Sequence, residues 1–251
     1  MAVVSYPLPN FDKLAEVEAA MMDGGKVAVI PTKVGYIITA TDMLGMEKKF
    51  ALKGRPLTKP GVVLTYDLGQ FNGLVTISDE HDRKLVEEIY SSGILCGFIL
   101  PWKQEAMRHY VPSDLQSLMQ DGNGTSCFVF NHGTYSEELA RRMLEHHDKL
   151  VFASSANPSG QGNRGRFEGI GEGIINGADV SIEADKYVSA QQPAKDESTR
   201  FEQGVMVSLV TPRPTVIRTG LDVGEIVGIM ARVYGRSGRN RAGTDHLVNL
   251  R

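Results

Sequence analysis

Leu150-Val151-Phe152-Ala153-Ser154-Ser155-Ala156-Asn157-Pro158-Ser159-Gly160 is the stretch on which the reading of this chain turns. An apolar run of strand length passes into a turn of hydroxyls, one amide and backbone N–H groups, all uncharged donors. Well upstream, Lys53-Gly54-Arg55-Pro56 also closes an apolar segment and precedes the strand-like Gly61-Val62-Val63-Leu64. Two cations on one tight loop suit a chain of phosphates, a lysine as a compact charge and an arginine as a planar fork. The pair of segments points to a cleft for a nucleotide or a similar polyanion.

The composition sets the frame. The 251 residues are 41% hydrophobic, enough for a packed core in one large domain or one domain with a tail. A net charge of −3 argues against a general nucleic-acid coat. Cys96 and Cys127 are two thiols in apolar contexts and make neither a disulfide framework nor a metal motif. No apolar run reaches the ~18 residues of a membrane span. The N-terminus lacks a basic segment followed by an apolar one, so the expected location is the cytoplasm.

Periodicity predicts alternating elements. Helices are expected over 11–23, 43–52, 80–91 and 136–145, and strands over 26–31, 36–41, 61–65, 94–100, 126–131 and 150–153. Residues 160–177 read as a Gly-rich loop with helical turns, and 205–210 with 215–218 as a final hairpin around Pro212 and Pro214. Residues 187–202 are polar and predict a mobile loop across the cleft. Strands alternating with helices make the class α/β. The domain is expected to span 1–220. Residues 221–251 form a C-terminal extension whose end, with Arg236, Arg239, Arg241 and Arg251 among Gly, Ser and Asn, reads as a partly disordered, solvated tail. A contact between that tail and RNA or an acidic partner is the alternative.

Taken in order, Pro31-Thr32, Tyr36, Lys53-Gly54-Arg55-Pro56, Ser155-Ala156-Asn157-Pro158-Ser159-Gly160, Ser198-Thr199 and Val216-Ile217-Arg218-Thr219-Gly220 resemble the motif set of the YrdC-like family, over roughly residues 15–220. The likeness is an ordered set of motifs, and the Ser-Ala-Asn-Pro-Ser-Gly run is its most specific part. It implies the YrdC-like fold, a twisted mixed sheet with flanking helices around an open cleft. The best-known members are threonylcarbamoyl-AMP synthases. These join ATP, L-threonine and bicarbonate, release pyrophosphate and so supply a tRNA modification. The implied class is a nucleotidyltransferase, with possible partners among tRNA-modification proteins or RNA and none in the membrane.

By the same resemblance, Lys53 and Arg55 are the catalytic and phosphate-binding cations, and Ser155, Asn157 and Arg218 bind the nucleotide. Thr32, Tyr36 and Ser198 line the amino-acid side. Mg2+ is expected with the ATP, held mainly by phosphate oxygens and water. Each assignment has a plainer counterpart. The basic loop is a solvated one, Ser155 and Asn157 shape a turn, and Thr32 caps the turn after Pro31. Arg218, in an apolar strand, needs a partner in any case. No metal-ligand set is expected. His146 and His147 are adjacent and point to different helix faces.

The chain departs from the family pattern on the threonine side. Lys33 stands where an acidic residue is usual, and Ile37 where glycine follows the tyrosine. Pro101-Trp102-Lys103-Gln104-Glu105 replaces a Trp-Pro-Gly-Pro-x-Thr turn, and Phe128-Val129-Phe130-Asn131-His132 replaces an Arg-x-Pro segment. The nucleotide half is kept and the threonine half is altered. Three readings stay open: a threonylcarbamoyl-AMP synthase with a divergent pocket, a relative that forms another carbamoyl or acyl adenylate, and a non-catalytic nucleotide- or RNA-binding module.

Overall fold

The structure is a computed structural model that describes residues 11–54, 61–158 and 161–235. In chain order the elements are α1 (Asp12–Met22), β1 (Ala28–Thr32), β2 (Gly35–Ala40), α2 (Met43–Leu52), β3 (Val62–Leu64), α3 (Leu68–Leu74), α4 (Glu80–Ser91), β4 (Cys96–Pro101), α5 (Gln104–Tyr110) and α6 (Gln116–Met119). They continue with β5 (Thr125–Phe130), α7 (Thr134–His147), β6 (Val151–Ser155), a 3-10 turn (Glu168–Ile170), α8 (Glu172–Gly177), β7 (Val180–Ser181), α9 (Asp185–Ala190), β8 (Val205–Ser208), β9 (Thr215–Arg218) and α10 (Val223–Gly235). The strands pair in both senses and helices flank them, so the expected mixed α/β class holds.

The chain forms two compact units, each assembled from two separate stretches. The first takes the described residues of Met1–Pro56 and Gly133–Glu202. Its strands run β7-β1-β2-β6, with β1 parallel to β7 and antiparallel to β2, and β2 antiparallel to β6. Every residue of β1 is buried, as expected of a strand covered on both faces. Helix α1 buries Leu14, Val17 and Met21, one stripe at helical spacing, and packs on α7 and β1. It stops at Gly24 and Gly25, both at positive φ (74° and 67°), where glycine costs least. Asp42 ties that stop to the start of α2. Its carboxylate caps α2 by accepting from the Gly45 N–H (2.8 Å) and also accepts from the Gly25 N–H (3.0 Å).

The second unit takes the described residues of Leu57–His132 and Gln203–Arg251. Its strands run β3-β5-β4-β8-β9, with β3 parallel to β5, β4 antiparallel to β5, β4 parallel to β8, and β8 antiparallel to β9. The β8–β9 pair is the expected final hairpin, with a register shift between Met206 and Val207. Phe71 of α3 meets Phe98, Phe128 and Phe130 edge-on at centroid distances of 6.2, 6.2 and 5.3 Å. Cys96 and Cys127 are buried free thiols, and burial pushes the Cys127 thiol up to about 12.

Several expectations change. The segment 187–202 is not simply a polar loop, because α9 covers its start and Gln192 closes the remainder. The Gln192 amide donates to the Phe201 carbonyl (2.9 Å) and accepts from the Phe201 N–H (2.8 Å). Helices α3, α5, α6, α9 and α10 have no counterpart among the expected elements. Helix α10 buries Ile226, Ile229, Met230 and Val233 and packs on α4, where Tyr234 Oη donates to Asp82. The adjacent histidines also do not diverge. His146 Nδ1 and His147 Nε2 both lie 2.9 Å from Glu18 Oε1. One ring uses its near nitrogen and the other its far one, and both reach the same carboxylate oxygen. The basic tail, residues 236–251, lies outside the described residues.

Candidate functional site

The β1–β2 hairpin is the scaffold of the site. Thr32 pairs with Gly35 and Pro31 with Tyr36 across a two-residue turn at Lys33-Val34. The Thr32 hydroxyl donates to the Gly35 carbonyl (3.0 Å) and accepts from the Val34 N–H (3.3 Å). Its side chain therefore organises the turn, which is the plainer of its two readings. Gly35 has φ +143°, and a Cβ there would lie 2.4 Å from Asn163 Oδ1. Asn163, buried, uses that approach: its amide donates to the Tyr36 carbonyl (3.1 Å) and its oxygen accepts from the Gly165 N–H (3.0 Å).

Tyr36 is 1% exposed, and its hydroxyl is held at both ends. It donates to Asp185 Oδ1 at 2.5 Å and accepts from the Ala184 N–H at 2.9 Å. Burial and the Asp185 carboxylate raise the phenol far above its ordinary value. The same Asp185 oxygen accepts from the Phe167 N–H (2.8 Å), and the Phe167 ring meets Tyr36 edge-on at 5.6 Å. Neither Asp185 nor Asn163 stands out in the sequence. Asn163 sits in a Gly-rich run and Asp185 at the head of a polar one, and only tertiary contact distinguishes them from loop residues.

Strand β6 delivers the Ser/Asn turn. Ser155 lies opposite Ile37 on β2, and the Ala156 N–H donates to the Tyr36 carbonyl (2.8 Å). Asn157 is 6% exposed, and its amide donates to the Pro158 carbonyl (2.8 Å). Lys53, at the C-cap of α2, is not a solvated loop lysine. It is 4% exposed, and its ammonium donates to the Ser155 carbonyl and lies 3.4 Å from Ser155 Oγ. Ser155 itself is exposed, so the Lys53 ammonium and the Ser155 hydroxyl meet at one rim, with the buried Asn157 two residues further on. Arg55, Ser159 and Gly160 lie outside the described residues.

Two other sequence candidates make local contacts of their own. Ser198 is exposed, and its hydroxyl donates to Asp196 Oδ1 (2.7 Å) within a local turn. Arg218 belongs to the second unit, where Nε and Nη2 fork onto the Gly204 carbonyl at 3.1 and 3.0 Å. That carbonyl is the partner its strand position required. In the same unit, Trp102 and His132, from the two segments expected to depart from the family pattern, make internal hydrogen bonds. Trp102 Nε1 donates to Ser126 Oγ (2.6 Å), and His132 Nε2 lies 3.1 Å from the Thr65 carbonyl.

The chain is thus a mixed α/β protein that ends a buried strand in a Ser-Ala-Asn-Pro turn, with a buried lysine seated on that turn. The family model named Sua5/YciO/YrdC and described as "Telomere recombination" matches residues 20–218, and the chain belongs to this family. A hypothetical protein from Streptococcus mutans UA159, smu.1377c, shares 40% identity and superposes with a TM-score of 0.81 over 87% of this chain and 91% of its own. Sua5 from P. abyssi, solved with L-threonine, matches at 19% identity and TM-score 0.64 over 89% of this chain, which spans 57% of that protein. YciO from E. coli matches at 18% identity and TM-score 0.63, covering 85% and 91% of the two chains. No curated protein sequence matches the chain. Among the described residues, no helix is long and apolar enough to cross a membrane.

Proposed function

We propose that this chain forms an acyl adenylate from ATP, most simply as an L-threonylcarbamoyladenylate synthase acting for tRNA modification. The observation that carries the reading is the buried Lys53 ammonium seated on Ser155 beside Asn157, in a chain of this family. In the reaction, the threonine nitrogen bonds to the carbon of bicarbonate as a C–O bond breaks and water leaves, giving a carbamate. A carbamate oxygen then attacks the α-phosphorus of ATP as the bond to pyrophosphate breaks. Charge on the phosphoryl oxygens must be balanced during transfer. Lys53 and Arg55 supply positive charge, and Ser155 Oγ and the Asn157 amide supply neutral donors. Arg218 is the further nucleotide-binding arginine of this proposal, and Ser198 lies on the substrate side.

Mg2+ belongs with the triphosphate. The described donors at the rim are an ammonium, a hydroxyl and an amide, a set that suits an anion and not a cation. The ion is therefore assigned to phosphate oxygens and water, and no step is routed through it.

A second reading rests on the amino-acid side. The Thr32 hydroxyl is engaged within its own turn and the Tyr36 hydroxyl by Asp185 and Ala184. Lys33 and Ile37 flank them. These features favour an acid other than threonine. Sua5, solved with L-threonine, is the reason to test threonine first. The experiment is pyrophosphate release from ATP and bicarbonate, with and without L-threonine, followed by mass analysis of the adenylate. Threonine-dependent release supports the synthase. Release with another acid supports the second reading, and no ATP binding at all removes both.

A further inference from the structure

Away from the Ser155 rim, α1 and the C-terminal turn of α7 bring three ligating side chains together. Glu18 Oε1, His146 Nδ1 and His147 Nε2 all lie within 4.8 Å of one another, and each imidazole nitrogen is 2.9 Å from that carboxylate oxygen. Glu18 and His147 are largely covered (14% and 25% exposed) and His146 is half-exposed. We infer that Glu18, His146 and His147 form a binding site for a divalent transition-metal ion of the Zn2+ type, joining α1 to α7.

Two imidazoles and one carboxylate are the donor set preferred by such ions, and the solvent on the His146 side can fill the remaining positions. Zinc bonds of about 2.0–2.2 Å in tetrahedral array need donors about 3.3–3.5 Å apart. The two nitrogen–oxygen separations open by a few tenths of an ångström, and the rings adjust by side-chain rotation. Arg142 is the nearest competing cation, 3.6 Å from Glu18 Oε2. Its Nε donates to Glu138 at 2.7 Å, and the oxygen that faces the imidazoles is the other one. Sequence spacing conceals the site, since the histidines are adjacent and Glu18 lies on a different helix.

The test is calorimetric titration of the metal-free full chain with ZnCl2 in a non-chelating buffer, with melting curves with and without zinc. The expected result is one zinc per chain and a higher melting temperature with zinc. His146→Ala and Glu18→Gln should each weaken binding at least tenfold, and His81→Ala should leave it unchanged. His146 is half-exposed, so its variant keeps the fold. Absence of a one-equivalent site, or the same affinity in His146→Ala and Glu18→Gln as in the parent, overturns the assignment. Because the readout is metal binding and not ATP turnover, its failure leaves the proposed activity standing.

Discussion

Lys53 shows how burial changes the meaning of a residue. As a lysine on a basic loop it reads as solvated, yet it is 4% exposed with its ammonium on the Ser155 carbonyl. A simple truncation would therefore confuse lost charge with lost packing, because the stem is part of the interior. Lys53→Met keeps the stem. It is expected to weaken ATP binding by about tenfold or more, as for loss of one charged hydrogen bond. Calorimetry with ATP reads the first effect and a urea melt the change in stability. Equal ATP affinity in Lys53→Met and the parent removes Lys53 from the site. Tyr36 is the opposite case, a buried polar group with both hydrogen bonds satisfied. Tyr36→Phe leaves Asp185 Oδ1 and the Ala184 N–H short of a partner and should cost about 1–3 kcal/mol in urea unfolding. A loss below a few tenths would show that water replaces the phenol. The motif residues are legible in the sequence because each is a local pattern. Their partners Asn163 and Asp185 are not, since a contact over 127 or 149 positions leaves no local trace.

At the scale of elements, the sequence discloses what is long or strongly periodic. Helices α1, α2, α4 and α7, the main strands and the final hairpin all come from apolar spacing. The short helices escape because their stability comes from caps and packing and not from length. In α3, Asp67 accepts from the Gln70 N–H (2.7 Å) while Gln70 returns to the Tyr66 N–H (2.8 Å), a reciprocal cap readable only once the helix is known. The β1–β2 turn makes a sharp prediction. Gly35→Ala puts a Cβ 2.4 Å from Asn163 Oδ1 at φ +143°, so it should cost more than about 2 kcal/mol by strain and by the displaced Asn163. A urea melt near that of the parent would show that Asn163 moves aside freely. Helix α7 makes a prediction about acid. The Arg141 guanidinium, with Arg142 beside it, holds Glu138 at about 2, against an ordinary 4.5. A carboxyl whose folded value is depressed contributes stability above its unfolded value and loses it as pH falls toward the folded one. The contribution is therefore complete above about 4.5 and fades between there and about 2. Glu138→Gln should flatten that part of the pH–stability curve by an amount on the order of 1 kcal/mol. Parallel curves for parent and variant would assign the acid sensitivity elsewhere.

For the whole molecule, the decisive property is the order in which the chain builds its two units. Each unit is discontinuous. The first needs the described parts of Met1–Pro56 and Gly133–Glu202, and the second those of Leu57–His132 and Gln203–Arg251. Strands β1 and β2 are apolar on both sides, but β6 and β7, their neighbours in the sheet, come more than a hundred residues later in sequence. Strand β4 likewise waits for β8, whose Val207 pairs with Phe98. Reading from composition to one domain of about 220 residues does not reveal this interleaving, because contact between distant stretches is invisible to periodicity. It has a direct consequence. Loop closure must precede most of the burial that rewards it, and an N-terminal half exposes unpaired apolar edges. Residues 1–132 expressed alone therefore lack β6, β7 and α7 from the first unit and β8, β9 and α10 from the second, and neither core can close. Far-UV circular dichroism should show little cooperative thermal unfolding, and limited proteolysis should leave no resistant core. The full chain under the same conditions should melt cooperatively. A stable, protease-resistant 1–132 fragment would mean that β3, β4 and β5 with α3 and α4 suffice for a core, and that the second unit folds before its C-terminal strands arrive.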